Sequence, residues 1–249
     1  MADNRRLRLD RLLVERGVAI SRARAKSLIL AGFVWCSGRV IEKPAAMVEV
    51  DAVIEITGQD NPWVSRGGLK LDAALEYFGI DPVDASCLDI GASTGGFTDV
   101  LLSKGAARII AVDVGHGQLI ERVCSDPRVV VLERTDARSI TPELIVAPVD
   151  LVVCDVSFIS IRKAIPPALA LVRPGGQFVG LVKPQFEVGP GKVGGGGVVR
   201  DPTLLDRVSC DIVAWLNAMP TWKCDGIMES PVTGGDGNRE YLLSGTKMR

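Results

Sequence analysis

The chain has 249 residues, a length that suits one large domain or a medium domain with a small one. Hydrophobic residues make up 47% and charged residues 24%, close to the globular average, which excludes a disordered tail protein, a collagen-like repeat and a coiled coil. Lysine and arginine number 29 against 30 acids, so the net charge is −1; a uniformly basic nucleic-acid binder is excluded, a locally basic face is not.

Charge is unevenly placed. Residues 1–43 hold ten basic side chains (Arg5, Arg6, Arg8, Arg11, Arg16, Arg22, Arg24, Lys26, Arg39 and Lys43) against four acids. Leu9, Leu12 and Leu13, followed by Arg16-Gly17, predict an amphipathic helix stopped at Gly17. Ser21 is a candidate N-cap for a second helix, through Ala25, Leu28 and Ile29 to a stop at Gly32. Phe33-Val34-Trp35, a turn at Ser37-Gly38, Val40-Ile41 and residues 53–56 predict short strands. Such an arginine-rich stretch could be a solvated helix face. Its concentration beside two short helices also suits a phosphate backbone. Residues 57–62 are polar with Gly and Pro and predict a linker, with a second domain opening near Trp63.

From Ser86 onward, short apolar runs alternate with longer amphipathic ones. Strands are predicted over 87–90, 109–112, 129–132, 151–154, 178–182, 226–229 and 240–243. Helices are predicted over 71–78, 97–104, near 118–124, 161–171 and 204–217. This alternation calls for an α/β fold: a mostly parallel sheet with helices on both faces and ligands beyond the carboxyl ends of the strands.

Leu88-Asp89-Ile90-Gly91-Ala92-Ser93-Thr94-Gly95-Gly96-Phe97 runs from a strand through a Gly-rich turn into a helix. One strand–helix–strand unit later, Ile109-Ile110-Ala111-Val112 ends at Asp113, where a carboxylate suits the hydroxyls of a ribose. Three readings compete. The turn could be purely structural. A dinucleotide site is a second reading, but the spacing is not G-x-G-x-x-G and Asp89 sits where a pyrophosphate would be repelled. S-adenosylmethionine (SAM) carries a sulfonium and an ammonium and no phosphate. The acids at Asp89, Asp113 and Asp136 favour that third reading.

Two further strand ends carry chemistry. Asp155 follows the fourth strand and Lys183 the fifth. A hydroxyl that attacks a methyl group must shed a proton, which calls for a cation near the developing alkoxide and a carboxylate to orient it. The ordinary alternative for a lone Lys or Asp is a surface ion pair. Phe158 could stack on a base or on adenine, and a core position is the preferred expectation. Residues 189–197 hold six glycines and Pro190, a lid over RNA or a plain flexible loop, with Lys192 and Arg200 on either side of the run Gly194–Gly197.

The six cysteines (Cys36, Cys87, Cys124, Cys154, Cys210 and Cys224) are scattered, with no C-x-x-C and a single histidine, His116. No metal site is expected, and free thiols fit a reducing compartment. The start of the chain has no apolar h-region, and no apolar run nears the ~18 residues of a spanning helix. The expectation is a cytoplasmic protein without membrane partners.

Residues 7–56 resemble the S4 RNA-binding domain. Leu9-Asp10, Ser21-Arg22-Ala23-Arg24-Ala25, Ile29, Gly32, Val34 and Gly38 carry that resemblance. The loop from Leu88 to Thr98 resembles the FtsJ-like ribose methyltransferases. Val64-Ser65-Arg66-Gly67-Gly68-Leu69-Lys70-Leu71, Asp113-Val114-Gly115, Asp155-Val156-Ser157-Phe158-Ile159-Ser160 and the stretch from Leu181 to Glu187 make the whole chain similar to the TlyA family, many of whose members were first labelled haemolysins.

The resemblance implies a Rossmann-like SAM-dependent methyltransferase fold with a mostly parallel seven-stranded sheet, preceded by a small α+β S4 domain. The expected boundaries are 1–60 for the S4 domain, 61–64 for the linker and 65–249 for the methyltransferase. It implies 2′-O-methylation of cytidine in 23S, and in some members 16S, ribosomal RNA, with ribosomal subunits as partners. It assigns a Lys-Asp-Lys-Glu catalytic set to Lys70, Asp155, Lys183 and Glu240. Whether Lys183 removes the 2′-proton or stabilises the oxyanion stays open. Expected cofactor contacts are Asp89, Gly91, Ala92, Ser93, Thr94, Gly95, Gly96, Phe97, Asp113, Asp136 and Asp155. Expected RNA contacts are Arg5, Arg6, Arg8, Arg11, Arg22, Arg24, Lys26 and Arg66. Three departures stand out: His116 where relatives are expected to have Tyr, no arginine before the aromatic of Asn61-Pro62-Trp63-Val64, and Thr94 where FtsJ-like loops often have proline. The rival readings are an RNA-binding protein with an inactive methyltransferase fold, and a membrane-active haemolysin, which no spanning segment or long basic amphipathic helix supports.

Overall fold

A computed structural model describes residues 5–19, 21–30, 32–56, 61–145, 148–189, 191–234 and 237–249, without the side chains of residues 23, 24 and 27. The expected linker residues 57–60 and the side chain of Arg24 lie outside this description. The chain divides into two compact units, Met1–Pro62 and Trp63–Arg249.

In the first unit, β1 (Arg6–Arg8) leads into α1 (Leu9–Glu15), followed by α2 (Arg22–Leu30), β2 (Val34–Cys36), β3 (Arg39–Val40), β4 (Met47–Glu49) and β5 (Ile54–Ile56). Strand β2 lies between β3 and β5, and β1 pairs with β4. Leu9, Leu13, Ala25, Leu28, Ile29 and Val34 form the core. Gly17 and Gly32, past the ends of the two helices, have φ of +68° and +72°, a region glycine enters without steric cost. Ser37 and Gly38 also have positive φ, which turns β2 back on β3 as a two-residue hairpin. The β1–β4 pair was not expected, because three-residue strands such as Arg6-Leu7-Arg8 carry no apolar run.

The second unit contains α3 (Arg66–Phe78), β6 (Ser86–Ile90), α4 (Gly96–Ser103), β7 (Arg108–Val112), α5 (Glu121–Cys124), β8 (Val129–Leu132), β9 (Val149–Cys154), α6 (Ile161–Ala164), α7 (Pro166–Ala170), β10 (Val172–Val182), α8 (Pro184–Glu187), α9 (Pro202–Ala218), β11 (Trp222–Glu229) and β12 (Tyr241–Lys247). Its seven strands run in the order β11-β12-β10-β9-β6-β7-β8. Strands β8, β7, β6, β9 and β10 are parallel; β12 is antiparallel to both its neighbours.

Alternation along the strands makes two cores, one per face. Cys87, Ile109, Leu151, Val153 and Val179 pack with Leu71 and Leu75 of α3 and Val100 and Leu101 of α4. Leu88, Ile90, Ile110, Val152 and Phe178 pack with Ile161, Leu169 and the α9 residues Val208, Ile212 and Leu216. This is the expected α/β architecture. The single helix expected over 161–171 is two short ones, α6 and α7. Pro166 and Pro167 lack the amide hydrogens that a continuous helix needs, so the second begins afresh at Pro166.

Candidate active site

The chain order reverses between β6 and β9, which leaves a crevice at their carboxyl ends. Gly91 enters it from β6 with φ +83°. A Cβ there would lie 2.6 Å from the carbonyl oxygen of Asp155, so only glycine fits. The Asp155 amide donates to the Ile90 carbonyl at 2.9 Å, and the Gly91 amide donates to Val112 at 2.8 Å. Gly95, φ +99°, turns the loop into α4, while Ser65 caps α3 and packs against Gly96.

Two cavities open on this loop. The larger, about 880 Å³, is lined by Gly91, Ser93, Asp113, Val114, Asp136, Arg138, Asp155, Ser157, Phe158 and Lys163, among others. The smaller, about 270 Å³, is lined by Ser65, Arg66, Gly67, Lys70, Gly91, Ala92, Ser93, Thr94, Gly96, Phe97 and Asp155. Both walls include Gly91, Ser93 and Asp155.

Carboxylates organise the larger cavity. Asp113 accepts the Ser93 amide at 2.8 Å and the Gly115 amide at 2.7 Å, so it ties the loop after β6 to the loop after β7. Each oxygen has a second lone pair for a ligand hydroxyl. The Arg138 guanidinium holds the Asp136 carboxyl down to about 2. His116 Nδ1 lies 2.6 Å from Glu133, which also accepts the Gly117 amide, so the histidine braces the loop rather than lining the cavity.

Asp89 and Gly95, expected to touch a cofactor, line neither cavity. Asp89 is fully buried beneath the loop, where Thr98 donates to Oδ2 at 2.6 Å and Oδ1 has no partner. Burial pushes its carboxyl up to about 7. A β-carbon on Gly95 would press on Val123.

The four candidate catalytic residues form two ion pairs. Lys183 Nζ lies 2.6 Å from Asp155 Oδ1 and donates to Ser157 Oγ at 2.7 Å. Lys70 Nζ donates to Glu240 Oε2 at 2.5 Å, with the two residues only 8% and 3% exposed. A surface ion pair is thus ruled out for Lys70 and Glu240. Phe158 corrects a second expectation. It is 91% exposed, not core, with φ +65°, and stands beside Phe186 at a ring separation of 5.4 Å.

Sequence reasoning gave no role to Ser157, Glu187 or Asn238. Glu187 accepts Ser160 Oγ at 2.7 Å and the Ile161 amide at 2.8 Å, which clasps the segment after Lys183 to the one after Asp155. Asn238, buried, accepts the Val199 amide and donates to the Gly197 carbonyl, holding one end of the Gly-rich loop near Glu240.

Of the expected RNA contacts, Arg8 and Arg22 both bond Asp10, Arg6 approaches Glu49 at 3.8 Å, Arg11 pairs with Glu15, and Arg5 and Lys26 are exposed. Arg66 opens α3 in the second unit, on the wall of the smaller cavity. Among the described residues, no three His, Cys, Asp or Glu side chains gather as metal ligands, and no helix is long and apolar enough to cross a membrane.

Comparison with known proteins agrees with this geometry. The FtsJ-like methyltransferase family matches residues 63–247 and the S4 domain matches residues 7–54. The chain is 50% identical over 240 residues to the 16S/23S rRNA (cytidine-2′-O)-methyltransferase TlyA of Mycobacterium tuberculosis, a match spanning 96% of this chain and 89% of that protein. It is 38% identical over 237 residues to Hemolysin A of Brachyspira hyodysenteriae, spanning 95% and 98%. A solved structure from Streptococcus thermophilus, provisionally named a hemolysin, superposes with a TM-score of 0.74 at 36% identity, over 98% of this chain and 90% of that one.

Proposed function

The chain belongs to the TlyA family, an S4 domain followed by an FtsJ-like methyltransferase domain, and on that premise we propose that it methylates the ribose 2′-oxygen of cytidine in ribosomal RNA, with SAM as donor. The substrate is 23S rRNA, with 16S rRNA as a second one, and the work is done in the cytoplasm where ribosomal subunits are met.

The observation that carries this reading is the Lys183 ammonium, held at 2.6 Å from Asp155 Oδ1, where Asp155 lines both cavities. A 2′-hydroxyl is a weak nucleophile, and negative charge grows on its oxygen as it attacks. Lys183 supplies hydrogen-bond donors to that oxygen, while Asp155 and Ser157 fix the ammonium in place. Lys70, on the wall of the smaller cavity, adds a second positive charge and is itself held by Glu240.

The residues around Gly91 suit SAM. Asp113 would hold the ribose hydroxyls, Asp136 would face the adenosyl side, and the loop over 91–94 would lie against the methionine portion in the smaller cavity. The acids there offset a cationic ligand, and glycine at 91 lets the loop pack against the Asp155 carbonyl, which keeps the strand ends of β6 and β9 together at the crevice. When bound, SAM supplies an electrophilic methyl group on a sulfonium.

The exposed Phe158 at the mouth of the larger cavity offers a flat face to an unstacked base, the form in which RNA sequence is usually read. Lys163 and Arg138 on the same wall suit phosphates. The first unit, with its arginines, supplies the second grip on a folded RNA.

The test is incubation with methyl-labelled SAM and, in parallel, deproteinised rRNA, isolated large subunits and isolated small subunits. Transfer to large-subunit RNA supports the reading. No transfer to any of the three overturns it.

A further inference from the structure

Asp10 is out of sign with its surroundings. It lies in the first turn of α1, inside the most basic stretch of the chain, yet its side chain is only 6% exposed. Oδ1 accepts Arg8 Nε at 3.0 Å, and Oδ2 accepts Arg8 Nη2 and Arg22 Nη2, both at 2.9 Å. Arg8 immediately precedes α1 and Arg22 opens α2. The acid is therefore buried between two helix starts, while the two side chains it holds remain 48% and 63% exposed. The two Nη2 atoms bond the same oxygen, so they stand no more than 5.8 Å apart.

We propose that Asp10 is a positioning residue for RNA binding: its buried carboxylate locks the Arg8 and Arg22 guanidiniums into a fixed double donor for one phosphate or two neighbouring ones. This rests on the reading that the first unit grips rRNA. A guanidinium presents five N–H donors. The bonds to Asp10 engage two from Arg8 and one from Arg22, while both side chains stay partly open to solvent. A mobile arginine loses rotamer freedom when it meets a phosphate; these two lose it on folding instead, so less is lost on binding. The alternative is that Asp10 merely pins α1 to α2. The two roles part in their response to charge. Neutralising an acid on an RNA-binding face should tighten binding if only net charge counted. If the acid works through the two arginines, neutralising it weakens binding, and only while both are present.

The experiment measures binding of the full chain to in-vitro-transcribed 23S rRNA at several salt concentrations, with thermal unfolding alongside. Asp10→Asn is expected to bind about five- to tenfold more weakly, with an unchanged salt slope. The Arg8→Gln/Arg22→Gln variant is expected to bind at least about tenfold more weakly, with a slope lower by about two. Adding Asp10→Asn to that variant should change nothing further. Arg22→Lys, which keeps both the charge and the buried acid, should cost about threefold, because an ammonium cannot reproduce the planar fork. The inference is overturned if Asp10→Asn binds as tightly as the wild type or more so, if it weakens binding equally without the two arginines, or if Arg22→Lys binds normally. If the wild type binds no rRNA, or the Arg8/Arg22 variant binds as well as it does, the RNA-binding reading fails and takes the inference with it.

Discussion

The Lys70 ammonium and the Glu240 carboxylate, 170 residues apart in the chain, meet at 2.5 Å in a nearly dry pocket. Their contact ties α3 to the segment that enters β12. Gly234 completes the pocket, since a Cβ there would lie 2.5 Å from Glu240 Oε1. Burying two charges costs desolvation that their attraction only partly offsets, so a buried pair is weak evidence of a stabilising device. The place of Lys70 on the wall of the smaller cavity, with Glu240 behind it, points to chemistry instead.

Removing one partner should therefore be worse than removing both. Glu240→Ala leaves a buried ammonium uncompensated and should cost about 3–5 kcal/mol in denaturant unfolding. Lys70→Met/Glu240→Leu should recover much of that stability without recovering methyl transfer. A double variant as unstable as Glu240→Ala would show that the charges are not what the site must balance.

Gly91→Ala should strike stability and cofactor binding together. The new methyl group meets the backbone of Asp155, which cannot rotate away, at a φ of +83°. A cost of about 1–3 kcal/mol is expected in thermal unfolding. SAM binding by calorimetry should fall at least about tenfold. Wild-type affinity in this variant would mean that the loop does not approach the cofactor.

Asp89 predicts a pH dependence. Burial lifts its folded-state pKa from the ordinary 3.8 to about 7, so the folded chain holds that proton more tightly than the unfolded chain does. The resulting stability is fully present below pH 4 and is lost as pH rises towards 7. Asp89→Asn removes this loss. The Tm of the variant minus that of the wild type should grow more positive from pH 4 to pH 8. Burial raises the Glu187 carboxyl in the same direction, but it is present in both proteins and cancels. A constant difference across that range would contradict the assignment.

Glu187→Ala should separate catalysis from binding. Without the clasp to Ser160 and Ile161, the segments carrying Asp155 and Lys183 move independently. A tenfold or greater fall in kcat is expected, with SAM affinity changed less than about twofold. Equal losses in both would make Glu187 a general support of the fold.

The parallel strands are legible because each ends in a short apolar run closed by Gly, Asp, Glu or Lys. The cofactor loop was legible because glycine clusters there for a steric reason. What stayed hidden depends on distant pairing. Arg8 stands two residues from Asp10, but nothing nearby tells of the bond to Arg22, twelve residues on, and Glu187 sits inside a noticed motif with no hint of Ser160. The β1–β4 pair lacks an apolar pattern. Phe158 was misjudged because an aromatic in an apolar context usually packs inward, and its left-handed backbone, which turns it outward, leaves no mark in composition. The break at Ile165 was readable from Pro166-Pro167 and was overridden by the apolar periodicity around it.

The central claim is transfer of a methyl group to a ribose oxygen beside Lys183. The most direct measurement digests 23S rRNA to nucleosides after incubation with methyl-labelled SAM and either the wild type or Lys183→Ala, with SAM binding of both measured by calorimetry. The account predicts label in 2′-O-methylcytidine for the wild type, a rate about 10²–10⁴-fold lower for Lys183→Ala, and SAM affinities within a few-fold of each other. Label on a base, or undiminished turnover in the variant, would contradict it.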